Sequence, residues 1–204
     1  MKKVCLVIGA GRGIGGHIAK KFALANHSKN VMATTTTSSP PEQDDERYHS
    51  VLVRRSDLSS LNQAVEEIQS LGGMASGRLL NILEPNSIEE LIPSIEQDIG
   101  PIHTCVYNIG AQFGMQSLQQ TSLKQLELGW KLGVEGLFRL SKALVPYWED
   151  RGGGTLLVTS STASMRGNPG QLSHASAMGG RRMLCQALNA ELAPKNIHIV
   201  SKRH

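Results

Sequence analysis

Short apolar runs alternate with amphipathic segments along this chain, and their spacing predicts the elements of its fold. Residues 4–8 form a β-branched apolar run that ends in glycines, as a buried parallel strand does. From Ile14 the pattern changes to helical spacing, with Ile18 and Phe22 on one side. The first unit is therefore predicted to be a strand, a glycine loop and a helix.

The same order continues along the rest of the chain. Further strands are predicted at residues 51–53, 79–83, 102–107, 155–159 and 197–200. Further helices are predicted at residues 58–71, 88–99, 123–148 and 172–193. Strands that alternate with helices form a parallel, doubly wound sheet with helices on both faces. The sequence thus predicts a Rossmann-type α/β fold with three αβα layers.

Residues 28–49 interrupt this order. The run is polar and contains successive threonines, paired prolines and an acidic patch. A long connection without apolar periodicity is unusual inside a compact domain, and its composition is typical of disorder. A chain of 204 residues with 40% hydrophobic residues can bury the core of one domain. We therefore predict a single domain over residues 1–204, with a disordered insertion at 28–49.

Composition excludes several classes of function. The 21 basic and 17 acidic residues leave a net charge of only +4, the basic residues come as short pairs, and 4% of the chain is aromatic. A nucleic-acid partner is not predicted, because such proteins carry a clustered basic face. No segment is long and apolar enough to predict a membrane span. Three distant cysteines indicate buried, reduced thiols and a cytoplasmic protein, and the histidines show no metal-ligand spacing.

The glycine-rich run VIGAGRGIGG, residues 7–16, lies between the first predicted strand and helix. Gly9, Gly13 and Gly15 would allow a tight turn and a close approach of the backbone to a pyrophosphate. The helix that follows presents free N–H groups and a partial positive charge at its N-terminus. This context, more than the string Gly11-x-Gly13-x-x-Gly16, predicts a dinucleotide site.

Together with later motifs, this loop resembles that of the short-chain dehydrogenase/reductase family. The family motif TGxxxGxG is matched except that Ile8 replaces the threonine. Asn81-Ile82 falls where the family has an Asp-Val pair, and YNIG at residues 107–110 is similar to its NNAG element. GGGTLLVTSS, residues 152–161, matches the strand that leads to the family's active-site serine. The resemblance covers the chain apart from residues 28–49.

The resemblance implies a nicotinamide dinucleotide cofactor. The residues implied to bind it are Gly9, Gly11, Arg12, Gly13, Ile14, Gly15, Arg54, Arg55, Asn81, Ile82, Asn108 and Gly110. An acidic residue after the second strand would select NAD(H), whereas this chain has Arg54 and Arg55 there and Arg12 in the loop. Guanidinium groups around a 2′-phosphate favour NADP(H) over NAD(H). The alternative is that these arginines are only solvated.

The resemblance also implies four catalytic positions, of which one is conventional. Ser161 matches the serine, which orients the substrate carbonyl in the family. His174 stands in the tyrosine position, Met178 in the lysine position and Gly133 in the asparagine position. A tyrosine base needs a neighbouring cation because its ordinary pKa lies near ~10. The usual proton-transfer set is therefore incomplete.

Three interpretations of His174 stay open. In the first, the site has lost its chemistry. In the second, His174 serves as the acid and base, since an imidazole titrates near neutral pH without a lysine. In the third, His174 has no part in the function. The function implied is an oxidoreductase on a small carbonyl or alcohol, with a carbonyl reductase using Ser161 and His174 as one alternative. A non-catalytic, cofactor-binding or dimerising protein is the other.

Two further expectations concern assembly and length. In the family, the helices that correspond to residues 123–148 and 172–193 pack against a second subunit, so the resemblance implies a possible homo-oligomer. Gly129, Gly133 and Gly136 in one helix, and Gly179 and Gly180 in the other, would suit close packing or local fraying. Because the sequence stops after the sixth strand, the resemblance also implies that the last strands of the family's sheet are missing.

Overall fold

A computed structural model describes residues 2–25, 48–110 and 112–203. Its strands are β1 (Lys3–Ile8), β2 (Tyr48–Arg54), β3 (Met74–Leu79), β4 (Ile102–Tyr107), β5 (Gly154–Ser160) and β6 (Ile197–Arg203). They form one parallel sheet in the order β3-β2-β1-β4-β5-β6. This is the strand order of doubly wound dinucleotide-binding sheets. The predicted Rossmann-type α/β fold is confirmed.

The helices of these residues connect successive strands. They are α1 (Ile14–Leu24), α2 (Leu58–Ser70), α3 (Ser87–Asp98), α4 (Leu123–Trp130), α5 (Gly136–Asp150) and α6 (Leu172–Leu192). A π-helical turn, Lys131–Glu135, joins α4 to α5, so the single helix predicted at 123–148 is interrupted and runs on to Asp150. Helix α6 ends at Leu192, one residue before its predicted end, and a 3₁₀ turn begins at Ala193.

The third strand was predicted in the wrong place. It spans Met74–Leu79, whereas the prediction was 79–83. The prediction followed the apolar run at residues 79–83. In the structure, Leu79 and Leu83 are exposed and Ile82 is buried in the loop after the strand. Because β3 is an edge strand, it is only partly buried and does not need a continuous apolar run.

The predicted insertion has a wrong C-terminal boundary. Tyr48 and His49 belong to β2, where they pair with Lys3 and Val4 of β1. The remainder of that prediction, residues 28–47, lies outside the described residues. The strand is longer than predicted because polar residues at its start share the ladder with β1.

Contacts group the chain into two compact units. The first unit consists of the described residues within 1–80 and 93–105, and the second of those within 81–92 and 106–204. Within the first unit, the core is built on β1, in which residues 4–8 are at most 1% exposed. Helix α1 turns its small residues Gly15, Ala19 and Ala23 inward, and the Ser50 hydroxyl donates to the Ala19 carbonyl at 2.8 Å. Small side chains thus bring α1 close to β2.

The second unit is built around large buried side chains. Trp148, Tyr107 and Arg181 are among the largest fully buried ones. The ring of Trp148 covers Gly154 at the start of β5, where a Cβ would collide with it. The buried Cys185 of α6 has its pKa raised to about 11 by burial. All three cysteines are buried and free, as the sequence predicts.

The glycines of α4 and the π-helical turn serve packing inside one chain. A Cβ at Gly129 would collide with Ser173 Oγ, and one at Gly133 would lie 2.9 Å from Ala177 Cβ. Both contacts are with α6, so the small residues let these helices approach each other. Gly129 and Gly133 are therefore explained without a second subunit.

The two glycines of α6 differ, which gives a first prediction. A Cβ at Gly179 would meet no atom within 4 Å, whereas one at Gly180 would lie 2.9 Å from the Trp130 ring. Gly179→Ala should raise the free energy of unfolding by about 1 kcal/mol, because alanine loses less entropy in a helix. Urea unfolding measures both variants, and Gly180→Ala should gain less free energy of unfolding than Gly179→Ala. Equal effects would contradict the packing of Trp130 on Gly180.

Candidate functional site

The glycine loop follows β1 in a conformation that its sequence requires. Gly9 has a φ of 93°, a left-handed value that favours glycine. The N–H groups of Gly9 and Ala10 both donate to the carbonyl of Val53 at 2.9 Å. The Gly16 N–H donates to the Gly11 carbonyl at 3.1 Å, and a Cβ at Gly16 would collide with that oxygen. The loop is closed on itself and tied to β2.

The outer side of the loop is open to a ligand. A Cβ at Gly11 or Gly13 would meet no atom within 4 Å, and both residues are exposed. Gly13 is the N-cap of α1 and provides no side-chain cap for the first N–H groups, with Ile14 and Gly15 in the first turn. This arrangement fits a pyrophosphate, whose oxygens would accept from free N–H groups at the helix N-terminus.

Two predicted arginines meet near this loop around a serine. The Arg54 guanidinium donates to the Ala10 carbonyl at 2.7 Å and to Ser60 Oγ at 2.9 Å. Arg12 Nε lies 3.4 Å from the same Ser60 Oγ. Arg54 therefore stabilises the loop through the Ala10 carbonyl. Arg12 and Arg55 are exposed. Positive charge gathers on this side of the first unit.

A cavity of about 290 Å³ lies in the first unit beside these groups. Its walls come from α1, β2 and α2 and include Arg12, His17, Lys20, Arg54 and Ser60. Lys20 is engaged by Glu67, with Nζ 2.6 Å from Oε1. The cavity offers positive charge and a hydroxyl, which suits a phosphate group.

In the second unit, the loop that carries Asn81 and Ile82 is fixed by an arginine. Arg139 of α5 donates to the Ile82 carbonyl at 2.7 Å and the Glu84 carbonyl at 3.2 Å. Its other contacts are two hydrogen bonds to Glu89, at 2.6 and 2.9 Å. The Arg139 guanidinium lowers the pKa of the Glu89 carboxyl. The loop is thus held by contacts that the sequence did not indicate.

The chain after β4 is held by the end of β5. Thr159 Oγ1 lies 2.9 Å from Asn108 Oδ1 and 3.4 Å from the Tyr107 carbonyl. Asn108 is partly buried, whereas Gly110 is exposed and a Cβ there would meet no atom within 4 Å. The predicted cofactor stretch therefore offers open backbone at Gly110.

The structure places Ser161 beside His174. Ser161 Oγ lies 3.2 Å from His174 Nε2, and both residues are partly buried. Ser161 donates when Nε2 is unprotonated and accepts when Nε2 carries the proton. A hydroxyl and an imidazole at hydrogen-bonding distance can transfer a proton to or from a bound substrate.

The lysine position is apolar. Met178 is 3% exposed and packs in a cluster with Ala163 and Ala177. The Met178 methyl would lie 3.6 Å from a Cβ at Gly133, so the lysine and asparagine positions are neighbours. Neither position supplies a polar side chain.

A buried arginine lies one helical turn beyond Met178. Arg181 is 2% exposed and donates to the carbonyls of Gly133 at 2.8 Å, Thr159 at 3.0 Å and Leu132 at 3.4 Å, and also to that of Ile109. Burial lowers the pKa of its guanidinium. The buried side chain of Tyr107 donates to the Leu132 carbonyl at 2.6 Å.

Sequence reasoning missed Ser60, Arg139, Thr159 and Arg181. One signal was available for Arg181, because it falls in the stripe of buried α6 positions formed by Ala177, Met178 and Cys185. A charged residue in such a stripe needs partners. No comparable signal marks the others: Arg139 and Thr159 have partners distant in sequence, and Ser60 contacts the distant Arg12 as well as Arg54.

Among the described residues, no group of three or more His, Cys, Asp or Glu side chains could hold a metal ion. Among the helices that can be described, none has the length and apolar character needed to cross a membrane.

Comparisons with known proteins agree on one family. A model of the family described as short chain dehydrogenase matches residues 44–202. The chain is similar to the 3-oxoacyl-[acyl-carrier-protein] reductase FabG of Thermotoga maritima, with 26% identity over 201 residues. That match covers 97% of this chain and 71% of the relative.

Solved structures give the same result. A short-chain dehydrogenase from Rhodopseudomonas palustris matches with a TM-score of 0.83 and 26% identity, over 98% of this chain and 84% of that one. A 7α-hydroxysteroid dehydrogenase complexed with NADH and 7-oxo glycochenodeoxycholic acid matches with a TM-score of 0.80 and 26% identity. It is covered to 69%, and this chain to 98%.

Proposed function

Because the chain belongs to the short-chain dehydrogenase/reductase family, we propose that it binds a nicotinamide dinucleotide, with NADP(H) favoured over NAD(H). The observation that carries this proposal is the glycine loop. It has open backbone at Gly11 and Gly13, directly before the N-terminus of α1. A pyrophosphate at this position would be bound by N–H groups and the helix dipole.

The preference for NADP(H) rests on charge in the first unit. Arg12 and Arg54 share Ser60 beside a cavity of about 290 Å³, and Arg55 follows Arg54. A 2′-phosphate would meet guanidinium groups there, whereas a ribose diol would find no carboxylate among those lining residues other than Glu67, which is paired with Lys20. The solved complex of a 7α-hydroxysteroid dehydrogenase with NADH describes that relative and not this chain.

A second function is favoured by the Ser161–His174 contact. We infer the reduction of a small carbonyl compound, or the reverse oxidation of an alcohol. The nicotinamide would supply or accept a hydride. Ser161 Oγ would orient the carbonyl oxygen, and His174 Nε2, 3.2 Å from Oγ in this structure, would hold the proton that this oxygen gains.

Met178 favours the other alternative, a cofactor-binding protein without catalysis. A buried methionine supplies no charge to the site and no hydrogen bond to a ribose. A cytoplasmic location stays a prediction. Homo-oligomerisation also stays a prediction and has lost the support of the glycines in α4 and the π-helical turn, which pack against α6.

The cofactor proposal is tested by titrating the protein with NADPH and NADH while nicotinamide fluorescence is followed. We expect saturation with NADPH. Gly13→Asp should weaken binding at least about tenfold, because its carboxylate would repel phosphate at the helix N-terminus. The fold should be retained, since a Cβ at this position meets no atom. Gly179→Ala is the matched glycine control and should bind normally.

The cofactor preference is tested in the same titration. Arg12→Ala should reduce NADPH affinity about tenfold and leave NADH affinity nearly unchanged, because only NADPH carries the 2′-phosphate. Arg151→Ala removes the same charge from the second unit as a control. A titration without saturation would contradict cofactor binding, and equal losses for the two cofactors would contradict the preference.

A further inference from the structure

Helix α6 carries the two altered catalytic positions and a buried cation on one face. His174, Met178 and Arg181 are separated by four and three residues, and side chains at these spacings are neighbours on a helix. Only the last of the three is permanently charged at neutral pH. The family's cation position is apolar here, and a cation follows it within one helical turn.

The Arg181 side chain joins three segments of the second unit. It donates to Ile109, in the cofactor stretch after β4, and to Thr159 at 3.0 Å, near the end of the strand that leads to Ser161. It also donates to Leu132 and Gly133 in the π-helical turn, and the last of these is the asparagine position. One guanidinium thus contacts the backbone of the stretch after β4, of the end of β5 and of the π-helical turn.

As a means of stabilising the fold, these contacts carry a high free-energy cost. A guanidinium has five N–H donors, and the four hydrogen bonds of Arg181 described above all go to backbone carbonyls and none to a carboxylate. Burying a charge without a counter-ion carries a large desolvation cost. A π-helical turn also weakens the regular carbonyl ladder, and such turns are frequent at functional sites. The arginine supplies donors where that ladder is broken.

We propose that Arg181 is a positioning residue, which fixes residues 107–110, the π-helical turn and the end of β5, and which supplies the positive charge absent from the lysine position. This inference rests on the proposed cofactor binding. Its role would be to shape the part of the site that receives the nicotinamide side of the cofactor, because Ser161 and His174 lie in the same unit.

The role predicts a difference between two ligands. NADPH carries a nicotinamide, whereas 2′,5′-ADP has only the adenosine and phosphate groups. Arg12 and Arg54, which face the proposed phosphate cavity, belong to the first unit. Loss of the Arg181 hydrogen bonds should therefore weaken the binding of NADPH and leave the binding of 2′,5′-ADP nearly unchanged.

The experiment compares Arg181→Lys and Arg181→Met with Arg182→Lys, a change at the neighbouring, partly exposed arginine. Hydrogen exchange of the free protein is measured first. Exchange in residues 107–110 and 131–135 should rise about tenfold or more in Arg181→Lys, because lysine cannot make the forked contacts. Exchange in β1 should stay unchanged.

Binding is measured on the same proteins. Arg181→Lys should lose about tenfold in NADPH affinity and Arg181→Met more, while 2′,5′-ADP affinity stays within about twofold. If Arg181→Met fails to fold, Arg181→Lys decides, because it retains the charge. Parallel losses of both ligands, or unchanged exchange and binding, would overturn the positioning role. A parent protein that binds neither ligand would overturn the proposed function, and the exchange measurement would still judge Arg181.

Discussion

Replacing Met178 by lysine should lower the free energy of unfolding by about 3 kcal/mol, although lysine is the family's own residue there. Met178 is 3% exposed and packs against Ala163 and Ala177. A lysine would place a charge among these apolar groups, three residues before the buried Arg181. Both effects act in the same direction, because the new charge is desolvated and the neighbouring charge repels it.

Urea unfolding provides the measurement, with Met178→Leu as the control of similar volume. Met178→Leu should cost less than about 1.5 kcal/mol, because it keeps the site apolar. The slope of the transition should be the same in all variants, so that a change of midpoint reports stability. A Met178→Lys protein as stable as Met178→Leu would show that the site accepts a cation.

This prediction changes how the family pattern could be restored. Inserting tyrosine and lysine at positions 174 and 178 would leave Arg181 in place beside the new lysine. The arginine already holds the Gly133 carbonyl at 2.8 Å, so the surroundings of the lysine position are arranged for a different cation. We therefore expect the pair of tyrosine and lysine to be tolerated poorly while Arg181 is present.

Ser161→Ala and His174→Ala should each slow NADPH-dependent reduction of a responsive carbonyl compound about 100-fold. The physical reason is that Ser161 Oγ and His174 Nε2 form one hydrogen-bonded pair, 3.2 Å apart. Loss of either group removes the same proton path. The double variant should consequently be little slower than the single ones, since residues that act as a unit are not additive.

The measurement is the loss of NADPH absorbance across a panel of small aldehydes and ketones. Ser176→Ala and His198→Ala change exposed residues of the same types and should retain the parent rate. NADPH oxidation that is equal in all variants would place the chemistry on other residues. A parent protein that binds NADPH and reduces no member of the panel would favour the non-catalytic alternative.

The sequence predicted those parts of the molecule whose signals are local. Strand β1 is buried throughout from Val4 onward, and its continuous apolar run shows this. The glycine loop was recognisable because its residues adjoin in the chain. Ser161 and His174 were singled out through the family resemblance, and they lie 3.2 Å apart in the structure.

Other parts depend on contacts between distant residues. Strand β3 was misplaced because an edge strand with Gly77 packed under Leu61 has no apolar period. The π-helical turn leaves no mark in the sequence pattern, since its apolar spacing continues from α4 to α5. Arg139 and Arg181 have backbone carbonyls as partners, and carbonyls are present at every residue. Only the fold selects which of them meet an arginine.

The packing of Trp148 under Gly154 and of Trp130 over Gly180 gives the second unit two separate optical reporters. The chain has two tryptophans, and Trp148 is 0% exposed whereas Trp130 is 47% exposed. A water-soluble quencher such as iodide can reach the indole of Trp130 and is excluded from that of Trp148. Quenching of Trp130 therefore reports changes in solvent exposure at α4, and quenching of Trp148 reports unfolding of the core, without any added label.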